Sequence, residues 1–106
     1  HVKNGSCLIF IPHTTAAITI NESADSAVAK DILTKLSDLI PWDDNYEHRE
    51  GNSAAHLKSS LLGASEEIII KDGELVLGTW QGIFLAEFDG PRTRKVKVKL
   101  AADEKV

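Results

Sequence analysis

Three of the chain's four histidines stand in short polar strings rather than in apolar runs. His13 opens His13-Thr14-Thr15-Ala16, and His48 opens His48-Arg49-Glu50-Gly51-Asn52, which runs on to His56. A third string, Gly78-Thr79-Trp80-Gln81-Gly82-Ile83, is followed by Glu87-Phe88-Asp89-Gly90-Pro91-Arg92. Neutral imidazole is a common metal ligand and titrates near neutrality. His13, His48 and His56 with one water would make an open, catalytic-type zinc site. The competing reading is three hydrogen-bonding histidines, since His48 and His56 fit neither an i,i+4 helical pair nor a zinc-finger spacing.

Carboxylates and anion-binding groups keep company with these histidines. Glu22, Glu50, Glu87 and Asp89 lie in or beside the strings, where a carboxylate can orient a ligating imidazole or act as general base. Glu22 has an equal claim as a carboxylate placed before a helix, favoured there by the dipole. Gly51-Asn52 opens a short helix whose unpaired N–H groups suit phosphate. Arg92 follows a Gly-Pro turn and offers a planar fork for a phosphate, or else pairs with Asp89. Lys58, Ser59 and Ser60 add donors or are ordinary helix residues. Trp80 could stack a flat heterocycle, though a large aromatic more often serves core or interface. Gln81, polar in a β-rich stretch, needs partners if buried, and is expected at the histidine cluster or a ligand.

These residues need positioning elements. Residues 6–11 and 17–20 read as short strands, the first a buried run ended by Pro12. Over residues 23–40 the apolar period becomes helical, with Val28, Ile32, Leu36, Leu39 and Ile40 on one face. Asn21, Ser23 and Asp25 offer caps for it, and Pro41 stops it. Residues 42–51 form a polar loop, and Asn52 caps a second helix over Ser53–Leu62, which buries Leu57, Leu61 and Ala54 and closes at Gly63. Asp72-Gly73 signals a type I′ hairpin between residues 67–71 and 74–77. Residues 82–88 form a further strand. Lys95, Lys97 and Lys99 alternate with Val96, Val98 and Leu100, as in an edge strand with one wet face. Residues 101–106 read as a frayed tail.

The totals bound the rest. At 106 residues the chain suits one domain, and a net charge of −4 argues against nucleic acid, which is met by clustered basic surface. The single cysteine, Cys7, lies in an apolar run and reads as a core thiol; no intrachain disulfide and no Cys-rich zinc module can form. With no long apolar span and no signal-peptide pattern, the expectation is a cytoplasmic protein that does not enter membranes.

Taken together, the three strings resemble the YjbQ-like family, often labelled secondary thiamine-phosphate synthase. The likeness runs over residues 5–100, in the family's order and spacing, and members usually carry a further N-terminal stretch before the region matching Gly5. The resemblance implies an α+β fold of two packed β-sheets with flanking helices, here as one domain over residues 1–106. It also implies a homotrimer with sites in the intersubunit clefts and, in some members, a bound metal. The associated activity joins a hydroxymethylpyrimidine diphosphate to a thiazole phosphate and releases pyrophosphate.

The expectation is therefore a His-lined cleft holding a divalent metal, zinc or alternatively magnesium, and a small phosphorylated molecule. Glu22, Glu50 and Asp89 are the candidate catalytic groups. Gly51, Asn52, Lys58, Ser59, Ser60, Trp80, Gln81 and Arg92 are the candidate substrate contacts, and His13, His48 and His56 the metal ligands. The rival readings are a metal-dependent hydrolase and a non-catalytic metal or metabolite binder.

Overall fold

The computed structural model describes residues 1–104. Chain order is β1 (Gly5–Phe10), β2 (Ala16–Glu22), α1 (Ser26–Leu39), α2 (Ser53–Leu62), β3 (Ser65–Lys71), β4 (Glu74–Leu75), β5 (Gln81–Glu87) and β6 (Lys97–Ala102). It is an α+β fold of two antiparallel sheets, one of four strands in the order β4-β3-β1-β6 and one of two, β2-β5.

Alternation along β1 and β3 builds the core. Cys7 and Ile9 project to the same face as Ile68 and Ile70, and meet Ile11, Ala16 and Ile18 in one buried cluster. Each isoleucine so buried contributes about 1.5–3 kcal/mol. Cys7 is buried, as its apolar context implied. Asp72 and Gly73 both take positive φ, 51° and 78°, the backbone a type I′ turn requires. The hairpin's second strand is Glu74–Leu75, after which Val76 N–H still donates to Ile69 O at 2.8 Å and Leu77 continues onto the core.

Several elements differ from their sequence outlines. β2 runs on to Glu22, so this carboxylate ends a strand instead of opening the helix. Asp25 caps α1 by accepting from the Ala27 N–H at 2.9 Å. No residue of α1 is buried, and Leu39 is exposed where the periodicity placed it inward. The helix lies over Phe84, Ala86 and Phe88 with an apolar cavity of about 110 Å³ beneath it. On α2 the buried face is Ala54, Ala55 and Ser59, while Leu57 and Leu61 face solvent, against expectation. Small side chains let this helix sit close to the β2 backbone, where Ile18 N–H donates to Gly63 O at 3.1 Å. Residues 101 and 102 belong to β6, opposite Ser6 and Gly5, instead of a frayed tail. Residues 105–106 lie outside the described part.

β6 is an edge strand, as its lysines suggested, but it is exposed on both faces. Val98 and Leu100 share the face of Ile9 and Cys7, yet Val98 is 61 % exposed. The radius of gyration, 16.3 Å, exceeds the roughly 13 Å of a compact domain of this length. The molecule thus has an apolar layer that closes over β1 and β3 and stays open over β6.

Candidate functional site

The loops at one end of the two sheets converge. Pro12 ends β1, and His13, Thr14 and Thr15 follow before β2 begins at Ala16. The Ala16↔Glu87 pair brings the end of β5 alongside. Gly51, at φ 78°, turns the chain into α2, whose first residues carry Asn52 and His56 inward. The result is a polar cavity of about 470 Å³ lined by Pro12, His13, Thr14, Thr15, His48, Glu50, Asn52, His56, Arg92 and Arg94. That volume is ordinary for a small-molecule site. A second cavity of about 340 Å³ adjoins it and shares His13, Thr14 and His56; Ala16, Ser59, Ser60, Gly63 and Ala64 complete its wall.

A lattice of carboxylates and arginines forms one side. Arg94, its side chain only 8 % exposed, donates from Nε to Glu87 Oε1 at 2.6 Å and from Nη2 to the other Glu87 oxygen. Nη2 also donates to Thr15 Oγ1 at 2.9 Å, which gives the buried threonine hydroxyl its partner. Arg92 repeats the pattern on Asp89, donating from Nε to the backbone oxygen and from Nη2 to Oδ2, each at 2.8 Å. Both guanidiniums therefore spend the Nε–Nη2 edge on protein acceptors. The Arg94 fork holds the Glu87 carboxyl down at about 2, helped by the Asp89 N–H and the nearby Arg92 charge. Asp89 is held below its usual range first by the Asn52 amide, then by Arg92 and Arg94.

Asn52 occupies the N-cap position of α2, but its side chain makes no cap bond. Its Nδ2 donates instead to Asp89 Oδ2 at 2.8 Å, and its Oδ1 is buried without a partner. The charge-assisted bond to the carboxylate fixes the amide with Nδ2 on Asp89 and so leaves Oδ1 without the helix N–H groups it would otherwise cap. Ser59 Oγ is likewise buried and unpartnered, while Ser60 Oγ donates to His56 O at 2.8 Å.

His48 and His56 stand edge to face with ring centroids 5.3 Å apart, and Glu50 Oε2 lies 3.9 Å from His48 Nε2. His13 lines the same space, but its Nε2 accepts from the Lys95 backbone N–H at 2.8 Å. Among the described residues no three His, Cys, Asp or Glu side chains group so as to hold a metal ion. The three-imidazole set is thus brought near within one chain without being assembled as a ligand shell.

Four expected residues lie elsewhere. Glu22 pairs with Gln81 at the far end of the β2–β5 ladder, about 20 Å along the strands from Glu87. Gln81 does not reach the histidines; its Oε1 accepts from Gly78 N–H at 2.7 Å and closes its own turn. Trp80 is 61 % exposed at that same turn. Lys58 points toward α1, with Nζ 3.3 Å from Ser37 Oγ and 5.8 Å from the Phe88 ring centroid. Conversely, Arg94 went unmarked in sequence. Its signal was faint: a cation preceding β6, seven residues after a motif carboxylate that it was bound to seek.

The fold and site define a small α+β protein that presents a histidine- and arginine-lined cavity beside paired antiparallel sheets. The chain belongs to the family described as UPF0047 protein YjbQ-like, whose profile matches residues 1–103. A UPF0047 protein of Methanocaldococcus jannaschii is 61 % identical over 103 residues, covering 97 % of this chain and 75 % of that protein. The UPF0047 protein YugU of Bacillus subtilis is 53 % identical, over 93 % of this chain and 76 % of YugU. Among solved structures, an uncharacterised YjbQ/UPF0047 protein of Clostridium acetobutylicum superposes with a TM-score of 0.93 at 57 % identity, covering 94 % of this chain and 78 % of its own. A protein of unknown function from Sulfolobus solfataricus gives 0.91 at 42 % identity, over 96 % and 75 %. Among the described residues no helix is long and apolar enough to cross a membrane.

Proposed function

We propose that the cavity binds the phosphorylated end of a small metabolite, and that its activity is thiamine-phosphate synthase-like transfer. The observation that carries this reading is the pair Arg92 and Arg94, both lining the cavity and both braced by carboxylates. Bracing leaves the Nη1 edge of each guanidinium for a ligand and fixes where it points. Preorganised donors of this kind stabilise charge that develops on a leaving group. In the proposed reaction the carbon–oxygen bond of the pyrimidine diphosphate breaks, the thiazole nitrogen bonds to that carbon, and pyrophosphate departs beside the arginines. Two adjoining cavities supply room for two substrates, which favours transfer over hydrolysis.

The test is to incubate the protein with both substrates and follow thiamine phosphate and pyrophosphate by chromatography. Formation of both, lost in Arg92→Ala, is expected. Phosphate release from either substrate alone would replace transfer with hydrolysis, and binding without any product would leave a metabolite-binding protein.

The hydrolase reading has its own support in His48, Glu50 and His56, an acid–base group at one wall. Among the described residues, one chain alone assembles no set of three ligands for a divalent ion, zinc or magnesium. We propose a metal here only where a second copy supplies ligands, in a homotrimer whose copies would cover the apolar face left open at Leu85, Val98 and Leu100.

A further inference from the structure

We propose that His13 is a tautomer-fixed hydrogen-bond donor at the junction of the two cavities, and not a metal ligand. The proposal builds on the ligand site above, but its first test needs no ligand. A neutral imidazole has one hydrogen and one acceptor lone pair. The acceptor of His13 is already committed, because Nε2 takes the Lys95 backbone N–H at 2.8 Å, and a backbone amide can only donate. The hydrogen must then sit on Nδ1. A ring in that state has no lone pair left for a cation; ligation would require either breaking the Lys95 bond or stripping Nδ1 of its hydrogen.

Position gives the donor its use. His13, Thr14 and His56 are the three residues common to both cavities. On one side stand Arg92, Arg94, His48 and Glu50; on the other Ser59, with its buried unpartnered hydroxyl, and Ser60. The first compartment suits an anionic group and the second a neutral polar one. A ligand spanning both must pass His13, so Nδ1–H donates to the oxygen that links its phosphate to the rest of the molecule. Lys95 follows Arg94 directly in the segment that leads into β6, so one segment fixes both the anion-binding guanidinium and the imidazole tautomer.

Long-range proton–nitrogen correlation spectra of the nitrogen-15-labelled full chain read the tautomer directly, with the His13 signals assigned by their disappearance in His13→Gln. The expected result is hydrogen on Nδ1 of His13, unchanged by one equivalent of zinc, while His48 and His56 signals respond if zinc binds. Hydrogen on Nε2, or a His13 tautomer that switches with zinc, would overturn the proposal. Its second arm compares thiamine phosphate with inorganic pyrophosphate by calorimetry. His13→Asn, which keeps an N–H where Nδ1 stood, should bind thiamine phosphate within a few-fold of the parent. His13→Leu should bind it about ten- to a hundredfold more weakly. Equal affinities of the Asn and Leu variants would refute the donor role. Failure of both phosphates to bind the parent chain would instead refute the proposed function, leaving the tautomer to be decided by the spectra.

Discussion

The Asn52 amide donates to the Asp89 carboxylate at 2.8 Å and ties the start of α2 to the turn after β5. Because a carboxylate only accepts, this bond fixes the amide's orientation. Asn52→Asp sets two carboxylates against each other, so it should destabilise more than Asn52→Ala near neutrality and less as acid neutralises the pair. Urea titrations of both variants at neutral and acid pH check the order. Equal midpoints for the two at neutrality would mean that the bond to Asp89 is not what Asn52 supplies.

Removing Arg94 leaves Glu87 and the Thr15 hydroxyl without their partner. Arg94→Met should cost about 1–3 kcal/mol, less than a fully buried pair would lose, since water reaches Glu87, whose side chain is 30 % exposed. The cost should depend on pH in a set direction. Glu87 ionises at about 2 in the fold and in the ordinary carboxylate range when unfolded, so its contribution is complete above about 4.5 and fades as pH falls toward 2. The gap in melting temperature between the parent and Glu87→Gln should therefore narrow across that interval. A gap constant from neutrality into acid would show that the ion pair contributes nothing.

A metal held by this protein should depend on His48 and His56, whose rings stand together, and not on His13. Elemental analysis after loading with zinc should find at most one ion per chain. The His48→Ala, His56→Ala double variant should lose it while staying folded, and His13→Gln should keep it. Full retention in the double variant would strike both from the ligand set.

Val98, Leu100, Leu85 and Ile83 are apolar and all exposed, Val98 and Leu100 to half or more, more than a stable monomer of this size usually leaves uncovered. Light scattering should give a mass near three times 11.6 kDa. Val98→Glu, placed at the centre of the β6 face, should lower that mass. A strict monomer at micromolar concentration would remove the intersubunit part of the proposed site.

Periodicity made the strands, both helices and the Asp72-Gly73 turn legible, because alternation and turn chemistry are local. It misjudged α2, where Leu57 and Leu61 carried the larger apolar signal but Ala54 and Ala55 had the shape for close packing. The His48-to-His56 string gave half of the cavity, since a loop leading into a helix keeps neighbours together. The Gly78-to-Gln81 string misled, because β5 carries its two ends apart: Gln81 and Glu87 are close in sequence and a strand's length apart in space. The bonds from Arg94 to Thr15 and from the Lys95 N–H to His13 were not legible because those partners lie some eighty residues away, which left only the nearby Glu87 as a faint sign of Arg94.

The four-stranded sheet puts β1 inside and β6 at the rim: Gly5 faces Ile70 on one side and Ala102 on the other. At Gly5 the neighbouring backbone is so near that a Cβ would meet Ala101 O at 1.9 Å. Strand β1 therefore completes its second edge only by pairing with β6, roughly ninety residues away in sequence. Sheets that depend on such distant partners fold slowly, in milliseconds to seconds, and expose strand edges meanwhile. The register of β6 is thereby fixed: with Gly5 opposite Ala102, the position without a side chain meets the close approach of the Ala101 carbonyl, and a slip along β1 would set a side chain there.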